Sequence, residues 1–203
     1  MWGSHGSAGA KPEVFCGFGP QPSSSDYQDY WSRRHQQEAT LGYVLVCQKS
    51  VDALDASPYA LPVHEARRRL LFNPVALPTS WSARLAPIGE LPEHRTDAGA
   101  LALRRYFRTT DGQILSTLEW KMARAGGSAK HQAAARYTTV ADRPARLVRL
   151  QTPSGSSYVA LAWESQGDYL EVAIKANRPA ANTLAVLHQL AQELQNSHSG
   201  SPR

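Results

Sequence analysis

Apolar residues recur at every second position through most of residues 101–175, and beyond Pro179 they recur at intervals of three and four. The first period is that of strands and the second that of a helix. Residues 101–108 read as a strand. Thr109-Thr110-Asp111-Gly112 reads as a hairpin turn whose Asp-Gly pair suits a type I′ geometry. The answering strand, 113–122, sets Ile114, Ser116, Leu118, Trp120 and Met122 against Gln113, Thr117, Glu119 and Lys121, the alternation of a half-buried antiparallel strand. After a loose Gly/Ala connection (123–134), strands at 136–140 and 144–151 flank an Ala141-Asp142-Arg143 turn. A second hairpin pairs Val159, Leu161 and Trp163 with Leu170, Val172 and Ile174 across Gln166-Gly167-Asp168. A closing helix presents Leu184, Leu187, Leu190, Ala191 and Leu194 as one stripe that must be buried on the sheet.

The N-terminal half is less regular. Residues 1–25 are rich in Gly, Pro and Ser and read as irregular. Ser25 or Asp26 caps a helix through Tyr27, Tyr30, Trp31, Arg34 and Glu38, which Gly42 ends. Residues 43–47 read as a buried strand, and Ser57-Pro58 opens a helix that ends near Leu71, before Asn73-Pro74. From 74 to 99, Pro74, Pro78, Pro87, Pro92 and Gly89 predict a long loop or two short edge strands around Trp81 and Leu85, the kind of segment that forms working surfaces. The expected architecture is α+β: a curved antiparallel meander sheet packed by a C-terminal helix and one or two N-terminal helices. An irregular segment (1–25) precedes a single domain (26–196), and a disordered tail (197–203) follows.

Composition narrows the function. A net charge of +5 with scattered lysines does not point to nucleic acid. The densest basic run, Arg67-Arg68-Arg69, suits the solvated end of a helix. No apolar stretch reaches the length of a membrane span, so membrane contact is peripheral or absent. No signal peptide is visible, although Gly3-Ser4-His5-Gly6-Ser7 reads like a cloning scar and leaves room for a leader upstream. Cys16 and Cys47 flank the weakly cored N-terminal region. As a disulfide they would close a loop worth roughly 3–4 kcal/mol and point to a periplasmic or secreted home; as free thiols they would act as small hydrophobes. Their placement favours the bridge.

Catalytic signatures are missing. The seven histidines form neither His-x-His nor His-Glu-x-x-His, so only zinc held by distant histidines stays open, and no metal or cofactor is assigned. Gly-x-Ser-x-Gly and phosphate-binding glycine loops are likewise absent from the sequence. What stands out is arginine on strands. Arg104, Arg105 and Arg108 on one strand, and Arg143, Arg146 and Arg149 on another, are interleaved with Tyr106, Tyr137 and Tyr158. An exposed Arg/Tyr face would be a protein-docking site, and a solvated sheet face is the plain alternative. Arg104, Tyr106, Arg146 and Tyr158, with Trp81 in the proline-rich segment, are the candidate partner-binding residues.

The Leu77-Pro78-Thr79-Ser80-Trp81 opening, the meander with its Ala141-Asp142-Arg143-Pro144-Ala145-Arg146 turn, the Tyr158 to Trp163-Glu164 strand and the leucine-rich closing helix together resemble the Mog1/PsbP-like (DcrB-type) group of small α+β domains. That resemblance covers a little over half the chain and implies a curved sheet backed by helices, no catalytic residues and a protein partner. The leading expectation is therefore a non-enzymatic bacterial envelope protein, of inhibitor, immunity or accessory-subunit type. The alternatives are a carrier of a lipid or other apolar ligand, which needs a large apolar cavity, and an enzyme, which needs titratable groups converging in a cleft.

Overall fold

The computed structural model describes residues 12–17, 19–125, 136–177 and 182–200. The elements run α1 (Tyr27–Leu41), β1 (Val44–Leu45), α2 (Gln48–Asp52), a 3-10 turn (Ser57–Tyr59), α3 (Val63–Arg67), α4 (Thr79–Ser82), β2 (Ala86–Thr96), β3 (Gly99–Arg108), β4 (Ile114–Trp120), α5 (Met122–Ala125), β5 (Tyr137–Val140), β6 (Arg143–Gln151), β7 (Ser157–Ser165), β8 (Asp168–Ala176) and α6 (Thr183–Gly200). All eight strands join one open, curved sheet in the order β1-β6-β7-β8-β4-β3-β2, with β5 beside β6 on the same edge as β1. Every pairing is antiparallel except β1 with β6. Two meanders, β2-β3-β4 and β5-β6-β7-β8, thus meet where β4 pairs β8, from Ile114↔Lys175 to Trp120↔Tyr169.

Each face of the sheet is covered by a different part of the chain. On one face Leu187, Leu190, Ala191 and Leu194 of α6 pack on Leu147, Leu161, Trp163, Leu170 and Val172, joined by Trp81 and Leu85. On the other, Phe15, Val44, Val46 and Val51 pack on Leu150, Tyr158, Ala160 and Ala173. The Cys16–Cys47 disulfide, with Cα atoms 5.1 Å apart, ties this second layer together beside the Phe15↔Val46 bridge. The chain then rounds the β2 edge, where Leu61 and Glu90 exchange backbone hydrogen bonds of 2.8 and 2.9 Å. The backbones meet so closely there that a Cβ on Gly89 would lie 2.8 Å from the Leu61 carbonyl oxygen, hence the glycine.

Several elements depart from the sequence expectations. The proline-interrupted segment, expected as a long loop or two short edge strands around Trp81 and Leu85, instead holds the short helix α4 with Trp81 and one eleven-residue edge strand, β2. Pro87 and Pro92 fit because β2 is an edge strand and a bulge falls between Pro87 and Gly89. The helix expected from Ser57 to Leu71 is a 3-10 turn and one short helix, α3. Thr117 and Glu119 are buried like Leu115 and Leu118, so β4 is enclosed on both faces. The segment expected to be irregular, 1–25, supplies core through Phe15, and α6 runs on to Gly200 through positions assigned to a tail.

The turn chemistry also moved. Of the Asp111-Gly112 pair only Gly112 has positive φ, so that hairpin is not type I′. Both central residues are left-handed instead at Ala141-Asp142 (φ 47° and 63°) and Gln166-Gly167 (φ 55° and 84°), which close two-residue hairpins. Alanine is strained in that region, whereas asparagine tolerates it. Ala141→Asn is therefore expected to raise unfolding free energy by roughly 0.5–1 kcal/mol in urea titrations. Leu190→Ala, which empties a fully buried site under α6, is expected to lower it by about 3 kcal/mol in the same assay.

Candidate partner-binding face

Residues paired across the sheet share a face, and the register puts Arg104, Tyr106, Arg146 and Tyr158 all on the face away from α6. Their depths differ. Tyr106 is 1% exposed and Tyr158 8%, both beneath the N-terminal layer. Arg104 donates from Nη1 to Glu171 Oε1 (2.7 Å) and from Nε to Glu93 Oε1 (3.1 Å). The Tyr158 and Tyr169 hydroxyls donate to the two Glu171 oxygens at 3.4 and 3.3 Å. Burial works against the Arg104 charge, but Glu171 and Glu93 outweigh it and raise its pKa above the usual range. Arg104 and the two tyrosines thus serve the fold. Trp81 sits elsewhere: α4 carries it into the α6-side core, 3% exposed, with the Arg84 guanidinium 5.2 Å above its ring. It is not the exposed contact that the proline-rich sequence suggested.

Arg146 lies in a different setting. Between β1 and β5 a short stretch of the β6 edge has no strand beside it, and a small cleft of about 60 Å³ opens there against α1. Arg34 and His35 of α1 line it with Arg146 and Arg149 of β6. Arg136 and Arg149 converge on the left-handed Gly42 that ends α1; their nearest guanidinium nitrogens lie 3.6 and 3.7 Å from where a Cβ would stand. The buried acid among these groups is Glu38. Burial raises its pKa, and the charges of His35, Arg136, Arg34 and Arg146 offset part of that rise. Among the described residues Arg34, Arg136, Arg146 and Arg149 form no salt bridge, in contrast to Arg33, Arg67, Arg69 and Arg104. Arg34 instead lies 5.0 Å over Trp31, and the buried Arg146 Nε lacks a hydrogen-bond partner. Next to Arg146 in the register is Tyr137, 59% exposed. Sequence reading found Arg146 but not Arg34, His35 or Arg136. The Arg33-Arg34-His35 run was the available signal, and nothing local says that α1 docks beside β6.

Toward β2 the same face carries a strained residue. His94 has φ 49°, which a side chain seldom adopts within a strand, and its ring stacks on Trp120 at 4.1 Å and 5°. Tyr169 meets Trp120 edge-on at 6.2 Å. Trp120, expected in the core, is only half-buried.

A second polar cluster lies on the α6 side. Trp163 Nε1 donates to Gln195 (2.7 Å), Gln195 Nε2 to Ser165 Oγ (2.9 Å), and His198 bridges Ser165 (3.4 Å) and Asp168 (2.9 Å). Ser165 is 1% exposed and already accepts from Gln195, so this Ser-His-Asp chain is enclosed and offers no nucleophile to a substrate. Glu119, Asp168 and His198 hold potential metal-ligand atoms within 4.8 Å of one another. The cation among them is Lys121, 2.9 Å from Glu119 and 2.6 Å from Asp168. Burial opposes its charge and these two acids more than compensate, so its pKa is raised.

These shifts share one sign. Burial pushes Tyr106 up to about 12 and raises Tyr158 and Tyr169 as well, so the folded protein holds protons that the unfolded chain releases near pH 10. The stability they contribute is fully present below about pH 10 and is lost as pH rises through the folded pKa values. Urea midpoints are expected to hold up to about pH 10 and to fall steeply above it, and Tyr106→Phe to make that fall shallower. Lys121→Met removes the cation between buried Glu119 and partly buried Asp168 and is expected to cost on the order of 3 kcal/mol at neutral pH by urea unfolding.

Comparison of the chain with protein families, with curated proteins and with solved structures returned no match.

Proposed function

We propose that the chain is a non-enzymatic binding protein that works outside the cytoplasm, in a bacterial envelope or as a secreted protein, and captures an acidic protein partner. Inhibitor, immunity-type and accessory-subunit roles all fit that description. The observation that carries the reading is a group of four arginines without a salt bridge among the described residues, Arg34, Arg136, Arg146 and Arg149, gathered with His35 near one buried acid, Glu38. Arg67, Arg69 and Arg104, by contrast, each pair with an acid within the fold. Four left together beside Trp31 and the exposed Tyr137 make a patch of the residue types that dominate protein interfaces, with a guanidinium geometry suited to carboxylates. The Cys16–Cys47 disulfide supports an oxidising compartment. No helix among the described residues is long and apolar enough to cross a membrane. The resemblance to Mog1/PsbP-like domains, which bind other proteins, points the same way.

The test is partner capture from extracts of the source organism, quantified against salt. Wild-type capture is expected to weaken as ionic strength rises. Arg34→Gln combined with Arg146→Gln is expected to weaken it at least tenfold, about 1.4 kcal/mol, with little change in Tm. Equal capture by the double variant would dismiss this surface.

A further inference from the structure

On the opposite face, a cavity of about 260 Å³ opens between the β3–β4 hairpin and the start of α6. It is independent of the arginine patch. Trp81, Leu85, Ile174 and Val186 give it apolar walls, and Arg84 and Thr183 reach it with polar groups. Two observations point to a ligand. The first is the helix end itself. α6 is eighteen residues long and begins with Val186 N–H bonding to the Asn182 carbonyl; among the described residues no side chain caps its first amides. Such an end carries free N–H donors and a partial positive charge, which suit an anion. The second is Thr183, which lines the cavity at 6% exposure and whose Oγ1 is buried with no hydrogen-bond partner among the described residues. A buried hydroxyl left unsatisfied is costly, and an acceptor arriving in the cavity would relieve it.

Charge selects the orientation. Arg84 forms no salt bridge among the described residues and stacks over Trp81, 5.2 Å from its centroid, while the acid at the rim, Asp111, is already bonded by Thr109 Oγ1 and Gln113 Nε2. An incoming carboxylate is therefore drawn to the α6 end and away from Asp111, and an apolar tail lies against Leu85, Ile174 and Val186. The volume is at the small end of ligand pockets and holds a short tail rather than a full lipid. We propose that this cavity binds a small amphiphilic monocarboxylate, its carboxylate held by the first amides of α6, the Thr183 hydroxyl and Arg84.

Octanoate titrated into the full chain, followed by calorimetry and by tryptophan fluorescence from Trp81, tests this. Saturable binding is expected for octanoate, with at least tenfold weaker binding for octanol, which lacks the charge, and for acetate, which lacks the tail. Thr183→Val keeps the shape and removes only the unpartnered hydroxyl, so the ligand-free Tm should hold or rise while octanoate affinity falls about tenfold. Arg84→Gln should weaken octanoate and leave octanol unchanged. The proposal is overturned if octanoate fails to saturate, if octanol binds as tightly, or if Thr183→Val lowers the ligand-free Tm, which would mean the hydroxyl has an internal partner. None of these outcomes bears on capture through Arg34 and Arg146.

Discussion

The pairing of β4 with β8 is the contact on which the rest of this structure depends. Each meander is built from local hairpins, but neither has enough surface to bury alone. Only when Ile114–Trp120 lies along Tyr169–Lys175 does one sheet exist wide enough to take α6 on one side and the disulfide-tied N-terminal layer on the other. The strands are distant in sequence, so their closure must be repaid by what they enclose. Side chains on both strands make that return: Leu115, Val172 and Ile174 enter the α6 core, and Glu171 of β8 reaches across β4 to Arg104 of β3.

Charge is placed on this frame in two ways. Where an acid is within reach, cations are consumed internally: Arg104 by Glu93 and Glu171, Lys121 by Glu119 and Asp168, Lys175 by Asp52 and Asp55. Arg104–Glu171 and Lys121–Asp168 tie one meander to the other, and Lys175 ties β8 to the N-terminal layer; the first two are largely buried, so losing one partner leaves the other in an apolar setting. Between α1 and the open β6 edge the balance fails, and Arg34, Arg136 and Arg146 share one Glu38 with His35. Several arginines gathered beside a single buried acid are the physical basis for the proposed docking surface.

The two proposed sites lie on opposite faces because the faces are closed differently. The N-terminal layer is short and leaves β6 partly bare, whereas α6 is long and leaves only its first turn open above the β3–β4 hairpin. Both openings occur where a secondary-structure element ends, with backbone or side-chain donors that the core does not use.

Much of the scaffold was legible in the sequence. The alternation in β4, β7 and β8 located those strands, the leucine stripe located α6, Gly42 marked the end of α1, and Cys16 and Cys47 suggested their own pairing. These are local signals, or in the case of the cysteines a scarcity of alternatives. Edge strands were one of two readings for the segment that holds β2, but its prolines hid the length and position of the single strand that the finished sheet makes. Arg104 and Arg146 look alike in sequence, alternate on their strands alike and fall on one face. Tertiary structure separated them by setting Glu171 beside the first and an already crowded Glu38 near the second. Periodicity carries the direction in which a side chain points. Whether it finds a counter-charge there depends on which distant strand or helix is laid against it, and that is settled only by the closure of the sheet.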